Sequence, residues 1–207
     1  MSNAKSIPFE AWDPLAPNAD PGMVLAAQRR EIRNILKSYT GYYDMFAEMI
    51  QNALDAVEHR AQGGESSYSP AIWVRINIRD SEVAVTDNGC GMDEGEFRQF
   101  LRPNCSFKQS AVSRGNKGVG ATYLAYGFNH LEVATKSAGK TWSGVIKRGR
   151  EWVEDREESI SRPKVETCPA RHEAFANVDR GTSIIVKLVG VAIRPRNLSW
   201  IGANKAE

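Results

Sequence analysis

The chain has 207 residues, 42% of them hydrophobic and 25% charged, with a formal net charge of +2; it is long and apolar enough for one domain with a real core, and too nearly neutral to demand nucleic acid as a partner, for which only a local basic patch stays open. No apolar run approaches the roughly 18 residues of a membrane helix, and the N-terminus lacks the charged-then-apolar layout of a signal peptide, so no membrane partner is expected. Cys90, Cys105 and Cys168 are odd in number, far apart and without a C-x-x-C pair, which argues against a disulfide framework or zinc and for a reducing, cytoplasmic setting.

Residues 1–22 hold Pro8, Pro14, Pro17 and Pro21 together with Trp12. Proline fixes φ and lacks an amide donor, so an extended arm is expected there. "PGMVLAAQRREIRNILKSY" reads as a helix with Pro21 near its start, broken by Thr40 and Gly41. A second helix runs through "EMIQNALDAVEHR", residues 48–60, and ends near the loop "QGGESSYSP". At about 100° per residue, Glu48, Asn52, Asp55 and His59 share one narrow stripe. Met45, Met49, Ile50, Ala53, Leu54 and Val57 take the opposite side. Taken alone, such a stripe is what the wet face of any surface helix shows.

In "AIWVRINIRD", Ile72, Val74, Ile76 and Ile78 alternate with Trp73, Arg75, Asn77 and Arg79, the period-two pattern of a half-buried strand. A tight turn at Asp80 and Ser81 leads into a second strand ending in "EVAVTD". "MDEGEFRQFL" reads as a short helix. "RPNCSFKQSAVSRGNKG" has no periodicity and is expected as a mobile loop. "VGATYLAYGF" is a helix, and "HLEVATKS" with "KTWSGVIKR" forms a hairpin around Ala138 and Gly139. Residues 149–180 are charged and irregular, expected as a partly helical excursion with a short strand near "KVETC"; "GTSIIVKLV" is the last strand. Helices mixed with adjacent antiparallel strands predict an α+β fold, a two-layer sandwich whose mixed, mostly antiparallel sheet is covered on one face by helices. The expected divisions are the arm over 1–22, one domain over 23–190, and 191–207 as a C-terminal tail or the start of a following domain.

Three glycine-bearing stretches follow the helix of the polar stripe. "VTDNGCGM" sets Asp87 at the end of a strand, then Gly89 and Gly91 at alternate positions, where glycine permits positive φ or a ligand's close approach. "RGNKGVGATYL" puts Gly115, Gly118 and Gly120 just before a helix, whose free N–H groups and positive dipole end suit phosphate. "RGTSIIV" sets Gly181 and Thr182 at a strand start. A G-x-x-x-x-G-K-[ST] phosphate loop is absent.

Together, in this order and spacing, the four stretches resemble the GHKL superfamily, which includes the DNA gyrase B subunit, the ninety-kilodalton heat-shock chaperones, sensor histidine kinases and MutL. The resemblance covers roughly residues 42–190. It implies ATP and Mg²⁺ as ligands. Glu48 matches the general base that polarises the attacking water, and Asn52 the residue whose amide oxygen holds Mg²⁺ on the phosphates. Asp55 matches the "D-A" that follows and orients neighbours. Asp87 matches the carboxylate that accepts the adenine amine, which guanine lacks at that edge. Gly89 belongs to the same loop, and Gly91 and Met92 would line the base pocket. Thr182 would reach adenine or Asp87. Gly115, Gly118, Val119 and Gly120 would cradle the phosphates under a lid spanning roughly 101–117, with Lys108 and Lys117 as lid lysines. For His59 a surface position is expected.

Glu48 and the "L-D-A" tail point to the hydrolysing branch, close to the heat-shock chaperone and MORC-like members. None of His59, His130 and His172 precedes the asparagine helix, which disfavours a kinase. The resemblance therefore implies an ATPase module that couples nucleotide state to lid closure and to conformational change or dimerisation with itself in a larger protein; the N-terminal arm with Trp12 suits exchange between subunits and equally suits packing on its own subunit. A basic residue from a downstream domain or partner would complete the site, so slow turnover is expected alone. A nucleotide-gated interaction module with negligible hydrolysis and a histidine-kinase-like phosphotransfer domain are the alternatives.

Overall fold

The computed structural model describes residues 21–103, 119–190 and 192–201. The arm expected over 1–22 lies outside these residues except for its end, and so does the lid expected over 101–117 except for its start.

Helix α1 (Pro21–Ser38) and helix α2 (Asp44–Gln62) are separated by a short break. There the Gly41 amide donates to the Asp44 carboxylate at 2.7 Å, closing the link onto the first turn of α2. Strands β1 (Ile72–Asn77) and β2 (Glu82–Asp87) follow, then α3 (Glu94–Phe100) and α4 (Val119–Tyr126). The start of α3 is fixed by a reciprocal cap: Asp93 accepts the Glu96 amide at 2.8 Å, and Glu96 accepts the Asp93 amide at 2.9 Å. Strands β3 (His130–Ser137) and β4 (Lys140–Lys147) form the expected hairpin; both turn residues, Ala138 and Gly139, have positive φ, which matches the strand twist. The excursion contains α5 (Gly149–Glu154), β5 (Val165–Thr167) and α6 (Glu173–Asn177), and β6 (Gly181–Lys187) closes the sheet.

The sheet has six strands in the order β1-β2-β6-β3-β4-β5, and every pairing is antiparallel. Register decides the faces. Val85 lies opposite Ile184 and Ile184 opposite Val133, while Val83 lies opposite Val186 and Val186 opposite Leu131. These side chains point to the helical layer and bury themselves against Met45, Met49 and Ala53 of α2 and Leu124 of α4. Ile193 and Leu198, from the segment 192–201, join the same core.

The helical layer is on one face, as expected, but the opposite face is not bare. Ala134 there buries against Phe175 and Val178, around α6. Lys136 fixes this cover by donating to the Phe175, Ala176 and Val178 carbonyls at 2.7, 3.2 and 2.9 Å. Arg171 forks onto Glu132 at 2.7 and 2.8 Å and reaches Glu82 at 3.0 Å.

One expectation is corrected. β1 is a strand, but it is not half-buried. Val74 and Ile76 pair with Val85 and Val83 on the core-side face, yet Val74, Ile76 and Ile78 are 47%, 42% and 48% exposed. β1 is the sheet edge, and the helical layer packs on β2 and reaches only the Ile72 end of β1. Alternation reports the pleat; it does not report whether anything lies over the apolar side. No described helix is long and apolar enough to cross a membrane.

Candidate functional site

Helix α2 is the spine on which the motifs meet. Glu48, Asn52 and Ala56 are four residues apart, so they share one face. At the Glu48 end sits the start of α4. A Cβ on Gly120 would fall 1.9 Å from Glu48 Oε2, so glycine lets α4 begin against this carboxylate without displacing it. The other oxygen, Oε1, accepts the Tyr39 hydroxyl at 2.8 Å. Tyr39 stacks on Tyr123 of α4, with ring centroids 3.9 Å apart and planes within 3°. Burial first, and then the bond to Glu48, push the Tyr39 phenol well above its ordinary value, so it remains a donor.

At the Ala56 end lies the turn of Asp87 to Met92. A Cβ on Gly89 would stand 2.5 Å from the Ala56 carbonyl carbon, and the Cys90 amide donates to the Ala56 carbonyl at 3.2 Å. With a rise of 1.5 Å per residue, the two contacts are about 12 Å apart along α2, with Asn52 midway. The Asn52 Nδ2 group is buried and has no hydrogen-bond partner among the described residues. Such an orphan donor is rare and calls for an explanation.

Asp87 ends β2 with 5% exposure, on the helix-facing side of the sheet together with Val83 and Val85. Its Oδ1 accepts the Gly89 amide at 2.8 Å and the Thr182 amide at 3.3 Å. Burial pushes the carboxyl up and the amides pull it down; burial wins, lifting it to about 7. Beside it, the buried Thr135 hydroxyl accepts the Met92 amide at 2.8 Å and lies 3.2 Å from the Gly181 carbonyl and from Thr182 Oγ1. Gly91 has φ +62, and its Cβ would fall 2.0 Å from the Lys136 carbonyl oxygen. The back of the turn is tied by Asn88, which accepts the Ala71 amide at 2.8 Å and donates to the Ser69 carbonyl at 2.8 Å. Arg60 clasps it from α2, donating to the Asn88 carbonyl at 3.0 Å and to Asp179 at 3.2 Å.

The fold thus gathers Glu48, Val119 and Gly120 at one end of the α2 face and Asp87, Gly89, Gly91, Met92 and Thr182 at the other, with Asn52 between them. Asp55 is half-buried and accepts the Gln51 amide at 2.9 Å, and His59 is exposed. Lys108, Gly115, Lys117 and Gly118 lie outside the described residues. Gly89 and Gly91 face the chain's own backbone, α2 and β3, so these two glycines serve the packing of the turn. Thr182 divides its contacts, amide to Asp87 and hydroxyl to Thr135. Sequence reasoning missed Tyr39, Thr135, Asn88 and Arg60. Thr135 reads as an ordinary strand threonine, and Tyr39 as the last residue of a helix; no spacing signals that they meet Met92 and Glu48.

Among the described residues no three His, Cys, Asp or Glu side chains gather as a metal cage. An ion here would have to share Asn52 with oxygens of a ligand, a donor set that suits Mg²⁺, which keeps waters and phosphate oxygens. The orphaned Asn52 Nδ2 fits that demand, since it is free to donate to an anionic oxygen of such a ligand.

A family model described as histidine kinase-, DNA gyrase B-, and HSP90-like ATPase matches residues 42–182. That span starts just before α2 and ends at the beginning of β6, leaving α1 and Tyr39 outside it. No curated protein matches the chain significantly.

Proposed function

The chain belongs to the histidine kinase-, DNA gyrase B-, and HSP90-like ATPase family and carries its ATP-binding domain; from that premise we propose that it binds ATP with Mg²⁺ along the α2 face and hydrolyses it. One observation carries the reading: the buried Asp87 carboxyl, on the turn that packs against Ala56, and the partnerless Asn52 Nδ2 stand along the α2 face that begins at Glu48. Asp87 takes the adenine amine, with the Thr182 amide fixing the carboxylate, Thr135 holding Thr182 and Met92 in place, and Met92 closing the base pocket. Asn52 donates to the phosphates and holds the ion. The α4 start at Val119 and Gly120, continuing from Gly115 and Gly118, offers its amides to the phosphate oxygens, under a lid that carries Lys108 and Lys117. Bound Mg²⁺ neutralises phosphate charge and orients the terminal phosphoryl group.

Glu48 takes the proton of the attacking water. Because Tyr39 occupies Oε1, the oxygen that receives this proton is Oε2, beside the α4 start. ATP binding then orders the lid and favours a closed dimer, and a basic residue from another domain or subunit completes charge stabilisation at the terminal phosphate. Light scattering with a non-hydrolysable ATP analogue tests the dimer; a monomer at saturation contradicts it.

A second reading has a specific observation in its favour. Glu48 already holds the Tyr39 hydroxyl on Oε1 in the absence of nucleotide, which suits a nucleotide-gated module without turnover. Phosphate release and ATP affinity of Glu48→Gln separate the two. Hydrolysis predicts a loss of turnover of about 100-fold or more with affinity kept; a parent protein without measurable phosphate release favours the gated module. Label retained on the protein would point instead to phosphotransfer.

A further inference from the structure

Behind the Tyr39–Tyr123 wall lies a separate cavity of about 780 Å³, set between the end of α1, the start of α5 and the segment 192–200. Its described lining contains Lys37, Arg150, Arg194 and Arg196 and no aspartate or glutamate. Arg150 is paired with Glu154 at 2.8 Å. Lys37, Arg194 and Arg196 make no ion pair among the described residues. Two N–H groups of the lining residues, Arg150 Nε and Trp200 Nε1, are buried without a partner. The lining also holds the aromatic side chains of Tyr39, Tyr42, Tyr123 and Trp200.

The whole chain carries only +2, so this concentration of positive charge does not follow from composition. Like charges around one concavity repel each other unless an anion sits among them, and low-dielectric walls strengthen both effects. Guanidinium groups present flat forks of donors that match phosphate oxygens. The volume falls within the range of small-molecule sites, about 300 to 1,000 Å³, and the aromatic side chains suit the apolar part of such a molecule. We infer that this cavity binds a phosphate-bearing small molecule, held by Arg194, Arg196 and Lys37. The inference stands apart from the nucleotide reading, since none of these cations belongs to the α2 face.

The test is calorimetric titration of the full chain with inorganic pyrophosphate, on the parent, on Arg194→Glu with Arg196→Glu, and on Lys37→Gln. Both arginines and Lys37 are exposed, so the fold should survive, which the melting temperature checks. The expected result is one binding event in the parent, weakened about tenfold or more in each variant. Absence of binding in the parent, or binding that the substitutions leave unchanged, overturns the assignment. A single-stranded oligonucleotide that binds about 100-fold more tightly than pyrophosphate through the same arginines overturns the small-molecule class. ATP titrated in parallel keeps the two sites distinct: failure of ATP with pyrophosphate binding intact removes the nucleotide reading and leaves this one.

Discussion

Asp87 receives two backbone amides, yet burial lifts its carboxyl from 3.8 to about 7. Between those values the folded protein keeps a proton that the unfolded chain has released. Stability contributed at Asp87 is therefore present at low pH and lost as pH rises through this window. Asp87→Asn removes the dependence. Urea unfolding at pH 8 should find the variant more stable than the parent by about 1 kcal/mol or more, the gap closing toward pH 4; a gap independent of pH contradicts the assignment. Tyr39 offers a second test. Its hydroxyl donates to Glu48 at 2.8 Å, so Tyr39→Phe frees one carboxylate oxygen and the water-facing geometry with it. A hydrogen bond to a charged group is worth about 1.5 to 3 kcal/mol, so turnover should fall about tenfold with ATP affinity unchanged. An equal loss in affinity would mean that Tyr39 shapes the nucleotide site and does not position the carboxylate.

The turn after β2 and the cover over the far face show what elements do beyond their residues. Gly91 meets the Lys136 carbonyl at 2.0 Å from a would-be Cβ, whereas Gly139, with a similar φ of +73, has nothing within 4 Å. Gly139→Ala should cost about 1 kcal/mol of backbone strain, and Gly91→Ala at least about 2 kcal/mol more for the clash, in nucleotide-free protein. Equal costs would mean the turn is loosely docked. On the far face, Arg171 is the shared partner of Glu82 and Glu132, both nearly buried. Arg171→Ala leaves Glu132 with His130 and Glu82 with Arg75 alone, and denaturant unfolding should show a loss of about 2 kcal/mol; a loss below about 0.5 kcal/mol would make the cluster a solvated one. Neither device is legible in the sequence. Strand parity and helix periodicity are local, so β2, β6 and the face of α2 that carries Glu48 and Asn52 could be read from spacing. The exposure of β1, the contact of Gly91 with β3 and the meeting of Arg171 with two strands depend on sheet order, which residues 149–180 do not announce.

On the scale of the molecule, α2 is the element on which the start of α4 and the turn after β2 both pack. Its two ends, Gly120 against Glu48 and Gly89 against Ala56, are about 12 Å apart. The motifs named the ends because glycines and a terminal aspartate stand out in any sequence. They did not name Tyr39 or Thr135, whose roles exist only once α1 lies beside α4 and β3 beside β6. Calorimetric titration of the parent, Asp87→Asn and Asn52→Ala with ATP and GTP, each with and without Mg²⁺, tests the nucleotide site most directly. The account predicts ATP binding in the parent and none of comparable strength for GTP, loss of adenine preference or of all affinity in Asp87→Asn, and loss of the Mg²⁺ dependence in Asn52→Ala. Equal affinity for both nucleotides in the parent, or ATP binding that neither substitution alters, would contradict it.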